Sequence, residues 1–120
     1  MTGMILETIE RMAVALLLAG ACAAQAQNLD FSKIELQTVK ITDGLYVLMG
    51  GPAQGNILVS TGSDGVLLVD TMYAPMHQKI VDAVARLFRG PIRYVINTHL
   101  HGDHTAGNEA LAKMGADCLR

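Results

Sequence analysis

The chain has 120 residues, 51% of them hydrophobic, with 9 Lys+Arg against 11 Asp+Glu and a formal charge of −2. That length holds one domain at most, and a near-neutral balance with no basic run argues against a phosphate-neutralising nucleic-acid surface. An aromatic share of 4% with no Trp offers no base-stacking platform, and two cysteines cannot build a disulfide-dense mini-protein.

Residues 12–24 (MAVALLLAGACAA) carry no charge. They fall short of the ~20 apolar residues that a membrane-spanning helix needs, but suit the hydrophobic region of a secretory signal. Ala24-Gln25-Ala26 reads as an A-x-A cleavage site. The expectation is a signal peptide over residues 1–26 and a periplasmic or secreted chain over 27–120, with no transmembrane helix once the signal is removed. A buried N-terminal helix is the competing reading. Glu7 and Glu10 depart from the usual basic start, and Met4 and Met12 are alternative first residues. Ala19-Gly20-Ala21-Cys22 also resembles a lipoprotein cleavage site, with Cys22 as the lipidated residue. Removal of the signal leaves 94 of the 120 residues, a charge of −1, and Cys118 as a lone thiol, read as an apolar filler.

Residues 34–41 (IELQTVKI) alternate loosely with β-branched types and predict a strand; Asp43-Gly44 is a turn, and 45–49 (LYVLM) a second strand. Gly50-Gly51-Pro52 breaks it. The runs 56–60 (NILVS) and 66–69 (VLLV) flank a Gly-rich turn and predict a hairpin. Because these runs are continuous rather than strictly alternating, strands covered on both faces are expected. Pro75 marks a helix start, after which Met76, Ile80, Val84 and Leu87 form an apolar stripe widened by Val81 and Phe88, ending at Gly90-Pro91. A strand at 92–97 (IRYVIN), a second helix at 105–114 closed by Gly115, and a strand beginning at 116–120 complete the order. Strands followed by a helical crossover to a further strand define an α/β layered fold.

Three of the four histidines fall within six residues, His99-Leu100-His101-Gly102-Asp103-His104. At this composition an H-x-H-x-D-H pattern arises by chance about once in 4,000 such chains, so the motif is a specific signal. Neutral imidazoles with a carboxylate suit Zn²⁺ and related divalent ions, with iron or manganese as substitutes. The cluster follows a strand end, where α/β folds place ligand sites. In an extended segment His99 and His101 share a face and can converge on one metal; Gly102 permits a turn that aims Asp103 and His104 at a second. The bland alternative is a polar helix cap by Asp103 or Thr105 with exposed histidines, although a cap needs only one such residue.

Residues 98–108 (THLHGDHTAGN) closely resemble the metal-binding loop of the metallo-β-lactamase superfamily, and Asp43-Gly44-Leu45-Tyr46, Gly55-Asn56-Ile57 and the run 65–71 (GVLLVDT) resemble its opening strands, in order. The resemblance covers residues 39–115. It implies a four-layer αβ/βα sandwich with metals at one edge, of which this chain carries the N-terminal half. It further implies His99 and His101 as ligands of a first metal, and Asp103 and His104 as ligands of a second. Asp70 would orient a ligand histidine, or else be an ordinary strand-end turn residue. His77 matches no ligand position and is read as a surface residue.

The implied chemistry is metal-assisted hydrolysis of a small molecule, a β-lactam, lactone, ester or thioester, with two zinc ions supplying an activated water and Asp103 handling its proton. The family's second half contributes further His and Asp ligands, whereas here no histidine follows His104 and only Glu109 and Asp117 are acidic beyond it. Two protein ligands per metal are fewer than the three that a catalytic zinc keeps. The 94 residues left after signal removal are therefore expected to bind zinc weakly and to hydrolyse nothing, and half a sandwich should expose an apolar sheet face. The alternatives are a non-catalytic metal-binding remnant and a lipid-anchored binding module.

Overall fold

Short runs of β-branched and leucine residues, separated by glycine turns, join in chain order into one six-stranded sheet. The computed structural model describes residues 29–53 and 55–119, so the signal peptide expected over residues 1–26, the expected cleavage site and Cys22 lie outside the described residues. The strands are β1 (Gln37–Thr42), β2 (Leu45–Met49), β3 (Asn56–Gly62), β4 (Gly65–Val69), β5 (Ile92–Ile96) and β6 (Asp117–Leu119). Strands β1 to β4 run antiparallel as successive hairpins; β5 and β6 add in parallel to β4. The β3–β4 turn is the two residues Ser63-Asp64, since Gly62 pairs with Gly65, whose φ of 109° suits a residue without a Cβ.

A parallel strand needs a crossover, and the segment between β4 and β5 supplies it as α1 (His77–Leu87), entered through a 3-10 turn at Ala74–Met76. Two short helices, α2 (Gly102–Thr105) and α3 (Asn108–Lys113), lie between β5 and β6. Ile80, Ala83 and Val84 of α1 and Leu111 of α3 join Leu48, Ile57, Val59, Val66, Leu68 and Val95 of the sheet in one buried core. The sheet residues of this set fall in paired positions, Leu48 with Ile57, Val59 with Leu68 and Leu68 with Val95, so they share the helix-covered face.

The opposite face carries its own apolar row. Val39, Val47, Leu58, Val69, Ile96 and Leu119 pair in succession across all six strands. Val39, Ile96 and Leu119 are exposed and the three between them half-buried. β3 and β4 bury alternate residues, and the helices among the described residues cover one side only, so the other side is the exposed apolar face expected of half a sandwich.

Three boundaries also differ. The first strand begins at Gln37 rather than Ile34, because Phe31–Lys33 forms a 3-10 turn and Ile34 turns into the core. Lys79 Nζ fixes that turn, donating to the carbonyls of Phe31, Ser32 and Ile34 at 3.0, 2.9 and 2.6 Å. The helix after Pro75 stops at Leu87, since Phe88 is extended (φ −152°) ahead of Gly90-Pro91. The helix expected over 105–114 starts later, at Asn108, because the Gly107 N–H donates to the Met72 carbonyl at 3.1 Å, and a separate short helix, α2, precedes it. Among the described residues no helix is long and apolar enough to cross a membrane.

Candidate metal centre

The parallel pairing of β4 with β5 places their C-terminal ends side by side. Asp70 follows β4 and Asn97-Thr98 follow β5, and the Asp70 N–H donates to the Ile96 carbonyl at 2.8 Å, so the strand ends are joined. The residues 98–107 then form the loop carrying His99, His101, Asp103 and His104. Gly55 packs against it: a Cβ there would lie 2.8 Å from the Asp103 carbonyl oxygen, a contact only glycine permits.

Asp70 is the buried anchor of this arrangement, 4% exposed and with φ of 70°, a left-handed conformation that Asp tolerates better than most residues. Its Oδ1 accepts from the Thr98 backbone N–H at 2.7 Å, and its Oδ2 from the Thr98 hydroxyl at 2.8 Å and from His104 Nδ1 at 2.7 Å. Burial alone would raise this carboxyl, but the Thr98 N–H, the His104 ring and the Thr98 hydroxyl outweigh it and hold the pKa below the ordinary carboxylate value. An ionised carboxylate only accepts, so His104 donates from Nδ1, and in the neutral ring that leaves the lone pair on Nε2. The Thr98 hydroxyl spends its single proton on Asp70 and so accepts from His99 Nδ1 at 3.0 Å, which likewise leaves His99 Nε2 as a lone pair. One buried carboxylate therefore sets the tautomer of two neutral histidines, His104 directly and His99 through the Thr98 hydroxyl.

The four loop side chains meet in two pairs. His99 Nε2 lies 3.0 Å from His101 Nδ1, and His104 Nε2 lies 3.2 Å from Asp103 Oδ2. The His99 ring stands 4.6 Å from that of His101 and 4.1 Å from that of His104, centre to centre. Among the described residues no three His, Cys, Asp or Glu side chains form a ready cage for one ion. Two donors bound at ~2.0–2.1 Å on a tetrahedral zinc stand about 3.3 Å apart, close to both observed separations. With Nδ1 of His104 donating to Asp70, the approach of its Nε2 lone pair to the Asp103 carboxylate is favourable only with a cation between them, a proton or a metal ion. The donor set and its spacing thus fit a divalent metal.

The structure brings together all five residues singled out for the site, Asp70, His99, His101, Asp103 and His104. His77 lies apart at the start of α1, with its Nδ1 3.0 Å from the Ala74 carbonyl. Cys118 is a half-buried free thiol packed against the core, and burial followed by the Asp117 charge pushes its pKa up. Sequence reading gave no role to Thr98, Thr71, Asn97, Asn108 or Gly55. Thr98 and Asn108 stand inside the run 98–108, so the motif contained them, but their partners Asp70 and Thr71 are 28 and 37 residues away.

Residues 50–116, more than half of the chain, match the family described as the metallo-beta-lactamase superfamily. The chain belongs to this superfamily, and the α/β fold class expected from the resemblance is the fold observed. The metallo-beta-lactamase FIM-1 from Pseudomonas aeruginosa in its mono-zinc form is 26% identical, covering 71% of this chain and 41% of its own, with a TM-score of 0.60. A metallo-beta-lactamase from Hirschia baltica is 29% identical over 70% of this chain and 42% of its own, with a TM-score of 0.57. One from Erythrobacter litoralis, 23% identical over 70% and 40% with a TM-score of 0.59, shares the fold. The chain spans about two-fifths of the length of these structures. Among curated proteins none matches it.

Proposed function

We propose that this chain carries the loop half of the metal centre of an exported, dinuclear zinc hydrolase acting on a β-lactam, lactone, ester or thioester. The observation that supports it most is the pairing of donors, His99 with His101 and Asp103 with His104, behind which Asp70 sets the tautomers of His104 and His99. His99 and His101 would hold one metal, and Asp103 with His104 the other. Metal bound there supplies Lewis-acid polarisation of a carbonyl and a nucleophilic hydroxide near neutral pH.

The chain's own residues orient and exchange protons. Asp103 is the carboxylate that accepts a proton and passes it to the leaving group. Leu100, 87% exposed between two exposed histidines, leaves the loop open to a small substrate from solvent. Export is supported by the uncharged run 12–24 and its A-x-A end. The remaining ligands of each shell are not among these 120 residues, since no histidine follows His104.

The test is a zinc and cobalt(II) titration of the purified chain and of His101→Ala, with hydrolysis of a chromogenic β-lactam followed in parallel. Saturable binding that H101A abolishes supports the assignment. Binding that H101A leaves intact refutes it, and chelator-sensitive turnover by this chain alone refutes the statement that its shells are incomplete.

A further inference from the structure

The metal loop begins at Thr98 and ends at Gly107, and the residues just outside its two ends touch. Asn97 and Asn108 face each other as a reciprocal amide pair: Asn108 Nδ2 donates to Asn97 Oδ1 at 2.6 Å, and Asn97 Nδ2 donates to Asn108 Oδ1 at 3.2 Å. The second Asn97 Nδ2 hydrogen goes to the His104 carbonyl at 2.9 Å. Thr71, fully buried after Asp70, completes the group: its hydroxyl lies 2.8 Å from Asn108 Oδ1, and its backbone N–H donates to the same His104 carbonyl at 2.9 Å. Gly107 presses on Thr71 so closely that a Cβ would lie 2.4 Å from its carbonyl oxygen.

This is costly construction for a surface connection. Two amide side chains are immobilised, and no buried side-chain nitrogen or oxygen among the described residues is left without a partner. Its effect is local. The amide pair joins the two ends of a loop that Asp70 holds at Thr98 and the Met72 carbonyl holds at Gly107, and the His104 main chain is held from inside by Asn97 and Thr71 while Asp70 holds its ring. The side-chain hydrogen bonds of these three residues run to one another and to the His104 carbonyl, not to the side chains of the donor pairs.

We propose that Asn97, Asn108 and Thr71 form a clasp that preorganises the metal loop, holding His104 in its binding position before metal arrives. The clasp acts on the ligand side chains proposed above, and its value for metal affinity rests on that reading; its value for loop order does not. A loop ordered in advance surrenders less conformational freedom on binding, so the clasp raises affinity without touching the metal.

The experiment is amide hydrogen exchange of the metal-free full chain, with zinc affinity by chelator competition, for Asn108→Ala, Asn97→Ala, the double variant and His101→Ala. The expected result is exchange of amides 99–106 faster by about tenfold in N108A and N97A, with β3 and β4 as protected as in the unsubstituted chain. Zinc affinity should fall about tenfold in each, and the double variant should resemble either single one, because both remove the same pair. Unchanged loop exchange overturns the proposal. So does loss of protection throughout the sheet, or failure of both variants to fold, since the group would then be a general stability element. H101A separates the two readings: zinc binding retained in H101A sinks the metal assignment, while the clasp is judged on loop exchange alone.

Discussion

Replacing Asp70 by Asn keeps the shape of the side chain and a residue that tolerates a φ of 70°, so the backbone has no reason to move. What changes is the count of acceptors. The carboxylate receives three hydrogen bonds, at 2.7, 2.8 and 2.7 Å; an amide has one oxygen. With that oxygen kept on the Thr98 N–H, the new NH₂ group confronts two other donors, the Thr98 hydroxyl and His104 Nδ1–H. The conflict resolves when His104 moves its proton to Nε2, the atom that faces Asp103, which removes the lone pair a metal would use. Loss of such an orienting partner costs ~10–100-fold in metal affinity, or about 1.4–2.7 kcal/mol. Folding stability should fall by ~2 kcal/mol, since hydrogen bonds to a charged acceptor contribute ~1.5–3 kcal/mol each and part of the set survives. Zinc affinity by competition with a chromophoric chelator, on samples matched by circular dichroism, reads the first figure; urea unfolding reads the second. A D70N chain that folds normally and binds zinc within twofold of the unsubstituted chain would refute the account of Asp70 as the tautomer-setting anchor.

Other substitutions probe the frame around the site. Gly107→Ala drives a Cβ to 2.4 Å from a backbone oxygen that cannot swing away, and should lower stability by ~3 kcal/mol in urea; a loss below ~0.5 kcal/mol would show that the turn relaxes freely. Leu68→Ala empties a fully buried position at the centre of the sheet and should cost ~2–5 kcal/mol, with loop geometry and metal affinity altered only through the fraction folded. In a Cys22→Ser background, Cys118 should alkylate with iodoacetamide at pH 8 more slowly than free cysteine, because burial and Asp117 disfavour its thiolate; an equal or faster rate would contradict its packed position.

The sequence by itself determined the family, the order of elements and the cluster of potential metal donors. Those signals are local: glycine turns, an apolar stripe at helical spacing, and four donors within six residues need no distant partner to be recognised. Even the parallel β4–β5 pair was implied, because a helical crossover leaves little other choice. Local signals failed where a distant group settled the outcome. Lys79 captured the carbonyls of Phe31, Ser32 and Ile34 and displaced the start of β1, and the Met72 carbonyl took the Gly107 N–H, so the expected second helix starts only at Asn108.

Asp70 shows the division most clearly. In the sequence it is either a strand-end turn or an orienting carboxylate, and no neighbour within the strand decides between them. Only the parallel alignment of two strand ends, 28 residues apart in the chain, sets its carboxylate under Thr98 and His104. The same alignment assembled Thr71, Asn97 and Asn108 around the loop. Which residues can bind a metal is written in their chemistry; which atoms are left free to do so depends on hydrogen bonds that form only when the sheet does.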